Sequence, residues 1–122
     1  MALVQELMGV GETVQIAGLI GFNQVEGIAS AGSTISDATQ LTGTVNILAT
    51  VGSSEGVILP ALPQSQQFIY VGNQGLNTVK VYSADLINGA AGSTGVSIAT
   101  LEGGLFVKNI AGTGWWFFPM GT

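Results

Sequence analysis

Apolar and polar positions alternate with a period of two along much of the chain, the spacing of half-buried strands. Thr44 to Val51 places Val45, Ile47, Ala49 and Val51 on one face of such a strand. Val57-Ile58-Leu59 is a short strand stopped by Pro60, and Pro63 keeps the next loop open. Gln67 to Gly72 is apolar on both faces, as in a central strand or one covered by a neighbour. Asn73-Gln74-Gly75 turns the chain into a strand from Thr78 to Ser83, and Asn88-Gly89 favours a tight turn. Ser97 to Leu101 and Leu105 to Ile110 flank Glu102-Gly103-Gly104, a hairpin signal. Gly112-Thr113-Gly114 leads into a last strand, Trp115 to Phe118, ended by Pro119.

Residues 1–35 follow a weaker pattern. Ala2 to Met8 can form one or two helical turns before Gly9 and Gly11 stop them. Thr13 to Leu19 and Phe22 to Ile28 read as strands, and Ala29 to Ser36 as a small-residue linker. The chain thus divides into an N-terminal arm with candidate first strands (1–35) and a β domain (36–122). Seven to nine short strands with closely spaced turns predict an all-β, single-domain, antiparallel β-sandwich or barrel-like fold. No helical crossovers are visible, which argues against a parallel α/β sheet, and no exact repeat stands at solenoid spacing.

Composition narrows the surface. The 122 residues suit one domain, and a hydrophobic share of 47% is far from that of a disordered chain. Charged residues make up 7%, against roughly a quarter in ordinary soluble domains. Either a monomer coats itself with Gly, Ser, Thr, Asn and Gln, or other subunits cover much of it. The second reading is favoured, because few charges stand guard against edge pairing. The net charge is −5, with Lys80 and Lys108 the only basic residues. That speaks against direct binding of nucleic acid or of an anionic membrane surface. Gly56 to Val79 is uncharged, but its prolines, glutamines and asparagines are unsuited to lipid. The N-terminus has no basic n-region, so no secretory signal is expected, and assembly in a cytoplasm fits.

Candidate chemistry is sparse. The absence of histidine and cysteine removes the Ser-His-Asp and Cys-His nucleophile systems and nearly every zinc site. Neither lysine sits in a phosphate-binding glycine frame. Glu6, Glu12, Glu26, Asp37, Glu55, Asp85 and Glu102 are scattered, mostly at expected turns, although a glycosidase needs only two carboxylates across a cleft. The expectation is a protein that is not an enzyme and has no cofactor or metal; a loop calcium ion at Asp85 or Glu55 is the alternative. Trp115-Trp116-Phe117-Phe118 is the densest aromatic stretch. In a strand, Trp115 and Phe117 face one way and Trp116 and Phe118 the other. Two readings lead, a strand buried between layers or a subunit interface, where aromatics are enriched; a sugar-stacking platform is a distant third, because nothing beside the stretch supplies several polar side chains.

From Gly56 to Trp116 a longer pattern emerges. Gly56-Val57-Ile58-Leu59-Pro60 is followed by Val71-Gly72-Asn73-Gln74-Gly75-Leu76-Asn77-Thr78-Val79-Lys80-Val81-Tyr82, then Ile87-Asn88-Gly89, Ser97-Ile98 and the closing Trp115-Trp116. This resembles a family of small β-rich proteins and modules in the structural genes of tailed bacteriophages. The likeness covers roughly residues 38–118. Ser83 stands where that pattern has a proline after the tyrosine, and residues 1–35 lie outside it. The resemblance implies a virion protein. The leading expectation is a capsid decoration (cement) protein, a homotrimer contacting itself and the major capsid protein or other virion proteins. The alternative is a tail, baseplate or fibre component, including a host-surface binding module.

Leu3, Val4, Leu7, Met8 and Val10 are the candidate capsid-attachment residues, being apolar beside few charges, and the other expectation is that residues 1–35 supply strands to the domain's own sheet. A short terminal segment adds to a partner's sheet edge at little cost to its own fold. Deleting residues 2–10 should therefore leave a folded oligomer that fails to bind particles in a co-sedimentation assay. Normal particle binding by the deletion protein would remove the attachment role, and an unfolded protein would assign the segment to the core.

Overall fold

The computed structural model describes residues 23–61 and 68–120. The expected helical turns at 2–8, the strand at 13–19 and the attachment candidates Leu3, Val4, Leu7, Met8 and Val10 lie outside the described residues. Among the described residues there is no helix, and the protein is all-β. The strands are β1 (Gln24–Ala29), β2 (Thr39–Gln40), β3 (Val45–Thr50), β4 (Gly56–Ile58), β5 (Phe68–Asn73), β6 (Val79–Tyr82), β7 (Leu86–Ile87), β8 (Val96–Ile98), β9 (Gly103–Lys108) and β10 (Gly114–Met120). They form a six-stranded sheet in the order β1-β3-β5-β9-β10-β7 and a four-stranded sheet in the order β2-β4-β6-β8.

The pairing corrects the expected antiparallel sandwich or barrel. Both sheets are mixed. The chain alternates between them, so that β1, β3 and β5 stack in parallel in one sheet and β2, β4 and β6 in the other. This is a short β-solenoid of three coils. Parallel strands need long connections, usually helical. Here the strand in the opposite sheet serves as the crossover, which is how parallel pairing arises without a helix. The coils escape detection as a repeat because their lengths differ. In the larger sheet 21 residues separate Gln24 from its partner Val45 and 25 separate Val45 from Tyr70. In the smaller sheet the separations are 18 from Thr39 to Val57 and 24 from Val57 to Val81.

After the third coil the winding stops. β8 runs antiparallel to β6, β9 runs antiparallel to β5, and β10 folds back antiparallel on β9. The Glu102-Gly103-Gly104 hairpin does not form, because β8 and β9 belong to different sheets. Residues 99–102 instead cross between sheets, with Leu101 held at φ 65° and its N–H donating to the Asn73 carbonyl at 2.7 Å. The tight turn expected at Asn88-Gly89 does form. Both residues have positive φ (52° and 80°), and Ile87 and Ala90 exchange backbone hydrogen bonds at 2.9 Å.

One apolar cluster fills the space between the sheets, with Leu48, Ile69, Val71, Phe106 and Trp115 from one side and Val57, Val79, Val81 and Ile98 from the other. The strand at 45–50 alternates as expected. Asn46 and Leu48 face the core, while Val45 and Ile47 are only partly buried and Ala49 is exposed. Alternation alone leaves the inward side open, because both faces of this strand carry apolar residues.

Two buried asparagines hold the crossings. Asn46 donates from Nδ2 to the carbonyls of Gly43 (2.8 Å) and Tyr70 (3.3 Å) and accepts the Gly43 N–H at Oδ1 (3.0 Å). Asn73 donates from Nδ2 to the carbonyls of Asn77 (2.9 Å) and Ile98 (3.0 Å) and accepts the Gly75 N–H (2.9 Å). Replacing Asn73 by Ala leaves three backbone groups to find other partners. At about 1–3 kcal/mol for each buried group left unpaired, Asn73→Ala should lower unfolding free energy by at least about 2 kcal/mol in a urea titration. A change below about 0.5 kcal/mol, the ordinary range for surface substitutions, would show that the crossing does not depend on it.

Candidate functional site: an apolar outer sheet face

Strand β10 starts after a turn that Asn109 closes by accepting the Thr113 N–H at 3.0 Å, and it pairs with β9 along its length. Alternation then sends its side chains to opposite faces. Trp115 is 1% exposed in the core, and Phe117 stacks on Phe106 with ring centroids 4.8 Å apart and planes 29° off parallel. Trp116, Phe118 and Met120 point away from the core and are 49%, 53% and 51% exposed. The four aromatics singled out in the sequence are thus divided: Trp115 and Phe117 serve the interior, and Trp116 and Phe118 stand in the open.

Register extends this outer surface across the sheet. Trp116 lies beside Val107, which lies beside Phe68. Phe118 lies beside Leu105, then Tyr70, then Val45. Met120 lies beside Gly103, then Gly72, then Ile47. The two glycines make room for the Tyr70 ring, which lies against both. Leu86 of β7 adds a further exposed apolar side chain beyond β10. Half-exposed aromatics of this size, with Met120 and Leu86, present on the order of 300–400 Å² of apolar surface, the scale of functional patches on soluble proteins. A standard interface takes about 800 Å² from each partner. These four side chains would supply about half of that, and the partly buried row behind them adds to it.

Sequence reasoning marked β5 as covered on both sides and missed that Leu105, Val107, Met120 and Leu86 join it on one surface. The signal was present: β9 carries Leu105 and Val107 opposite Phe106, so three consecutive residues are apolar.

No charge sits within this surface. Among the described residues no group of three or more metal-ligating side chains occurs. Hydrogen bonds from the Thr34 hydroxyl (2.8 Å) and N–H (2.9 Å) lower the pKa of Asp37. It lies exposed in the turn before β2, and Asp85 and Glu55 lie in separate loops. Compared with known proteins, the chain matches no family model, no curated protein and no solved structure.

The two tryptophans should behave in opposite ways. Trp115 is buried with its indole N–H unpaired, so Trp115→Phe removes an unsatisfied donor as well as volume, whereas Trp115→Ala leaves a large cavity. Urea unfolding should show a cost of about 3–5 kcal/mol for the alanine variant and a markedly smaller one for phenylalanine. Trp116→Ser should leave stability within about 0.5 kcal/mol and weaken self-association in sedimentation. Equal stability losses at the two positions would contradict the assignment of faces.

Proposed function

We propose that the chain is a non-enzymatic structural protein of a bacteriophage particle, a decoration (cement) protein that assembles as a homotrimer on the capsid surface. The observation that carries this reading is the open apolar face of the six-stranded sheet on a chain with very little charge. Trp116, Phe118 and Met120 are half in water, and only Lys80 and Lys108 are basic. Such a face is stable in solution when another subunit covers it. The virion assignment rests on the residue pattern from Gly56 to Trp116, and the three-fold assembly on the symmetry of the particle positions that pattern implies.

The mechanism is linkage. A protein that binds the assembled lattice and not loose capsid subunits stabilises the lattice by the free energy of that binding. Packaged DNA strains the boundaries between capsomers, and a clamp across them resists opening without chemistry of its own. The partners are further copies of the chain and the major capsid protein or another virion protein. A net charge of −5 gives no support to a nucleic-acid or anionic-membrane partner.

The parallel coils favour a second reading, a tail, baseplate or fibre component. Stacked coils extend along one axis, as solenoid repeats do, and such a component would use its surface for assembly or host binding. Cryo-electron microscopy of purified particles separates the two. Density for the chain at three-fold or quasi-three-fold positions on the head is expected. Density confined to the tail would select the second reading, and absence from particles would end both.

A further inference from the structure

The outer face of the four-stranded sheet is unlike that of its partner. It holds a groove of about 520 Å³, within the size range of small-ligand sites. Its floor is made by β6 and β8. Val79, Val81 and Ile98 point into the core, so Lys80, Tyr82 and Ser97 point outward. Gly56, Lys80 and Ser97 form one row across three strands, and the Tyr82 ring lies over Gly56, where a Cβ would come 2.7 Å from Cε2. The walls are Ser53, Ser54 and Glu55 of the turn before β4, Asn77 and Thr78 before β6, and Ser33.

These parts are held in place. Tyr82 donates its hydroxyl to the Ser33 carbonyl at 2.9 Å, fastening the β1–β2 connection over the sheet. The Asn77 amide donates to the Val51 carbonyl at 2.8 Å. Glu55 accepts from the Ser30 hydroxyl (2.9 Å) and the Gly52 N–H (3.2 Å), both at Oε1. Gly95, at φ 76°, lies under the Lys80 stem so closely that a Cβ there would come 2.7 Å from Cγ. The stem therefore lies along the floor, over Gly95.

What these contacts leave over defines the ligand. The hydroxyls of Ser53, Ser54, Thr78 and Ser97, the Lys80 ammonium and Glu55 Oε2 make no hydrogen bond or ion pair with the described residues. We propose that this groove binds a sugar acid, with Lys80 taking the carboxylate and the hydroxyl cluster and Glu55 Oε2 taking the sugar hydroxyls. A single cation beside a carboxylate leaves the groove near neutral, which disfavours a compact dianion such as phosphate. A ring with one negative charge and several hydroxyls uses both groups. Tyr82 is 6% exposed, so recognition is by hydrogen bonds and one charge pair and not by ring stacking. The site lies on the sheet opposite the apolar face and does not depend on the particle assignment.

The test is a nitrogen-15 NMR titration of the full chain with D-glucuronate, with D-glucose and inorganic phosphate as separate arms. Glucuronate should give saturable shifts at Ser53 to Glu55, Thr78 to Lys80 and Ser97, with glucose and phosphate weaker. Lys80→Gln should weaken glucuronate binding about tenfold, as expected for loss of a charge-assisted hydrogen bond, with shifts elsewhere unchanged. Ser97→Ala, at an exposed position, should weaken it less and report on the site if the lysine variant misfolds. No saturable shift by about 10 mM, well above a millimolar dissociation constant, would overturn the proposal. So would phosphate binding as tightly as glucuronate, or binding that neither substitution alters.

Discussion

Each time the chain passes from one sheet to the other it carries backbone N–H and C=O groups past the edge of an apolar core, and the fold depends on satisfying them. An unpaired buried group costs about as much as several well-placed methyl groups contribute. The side chains that meet this demand are few and short. Asn46 closes the entry to β3 and reaches the Tyr70 carbonyl of the next coil. Asn73 joins the end of β5 to the Asn77 carbonyl and, across the core, to the Ile98 carbonyl. Its own N–H and C=O pair with Glu102 and Leu101 at the last crossing. Asn77 and the Ser30–Glu55 pair do the same for the ends of β3 and the turn before β4. Coils of unequal length stack in register because these contacts, and not a repeated loop, set where each strand begins.

Much of this was legible in the sequence. The period-two pattern gave most of the strands, the turn at Asn88-Gly89 and the division of Trp115 and Phe117 from Trp116 and Phe118. What stayed hidden has one physical cause. Alternation reports that a strand has two faces but not which face meets the core when both are apolar. Val45 and Ile47 are the outer ones, because Leu48 and the self-satisfied Asn46 take the inside. Parallel pairing was hidden as well, since a hairpin and an arch use the same turn residues. Glu102-Gly103-Gly104 has hairpin composition, yet the crossing is decided by Asn73, thirty residues away along the chain.

The same ambiguity marks the candidate site. A strand buried on one side only should carry polar residues on the other. β5, β9 and β10 do not, and the excess apolar character of 68–72 and 115–118 was visible as a demand for cover. Its location was not. Phe68, Val107 and Trp116 come together only because β9 lies between β5 and β10. The polar groove was less visible still. Its serines are spread over more than sixty residues and look like ordinary loop composition, and Lys80 stands in no phosphate-binding glycine frame.

The two outer faces therefore differ in kind. One is a flat row of aromatic and aliphatic side chains, and the other is a concave surface of hydroxyls with one cation and one anion. Both are built on strands of the same solenoid, so neither can tilt relative to the other without breaking the core between them. If neighbouring copies cover the apolar face, the polar one is left pointing outward from the assembly, and every copy presents it in the same orientation. A groove too weak to retain a ligand alone would then gain from repetition, because linked sites raise the effective concentration for one another. The low charge of the chain fits this division. Charge on the apolar face would oppose assembly, and a dense field around the groove would mask the single lysine that gives it direction.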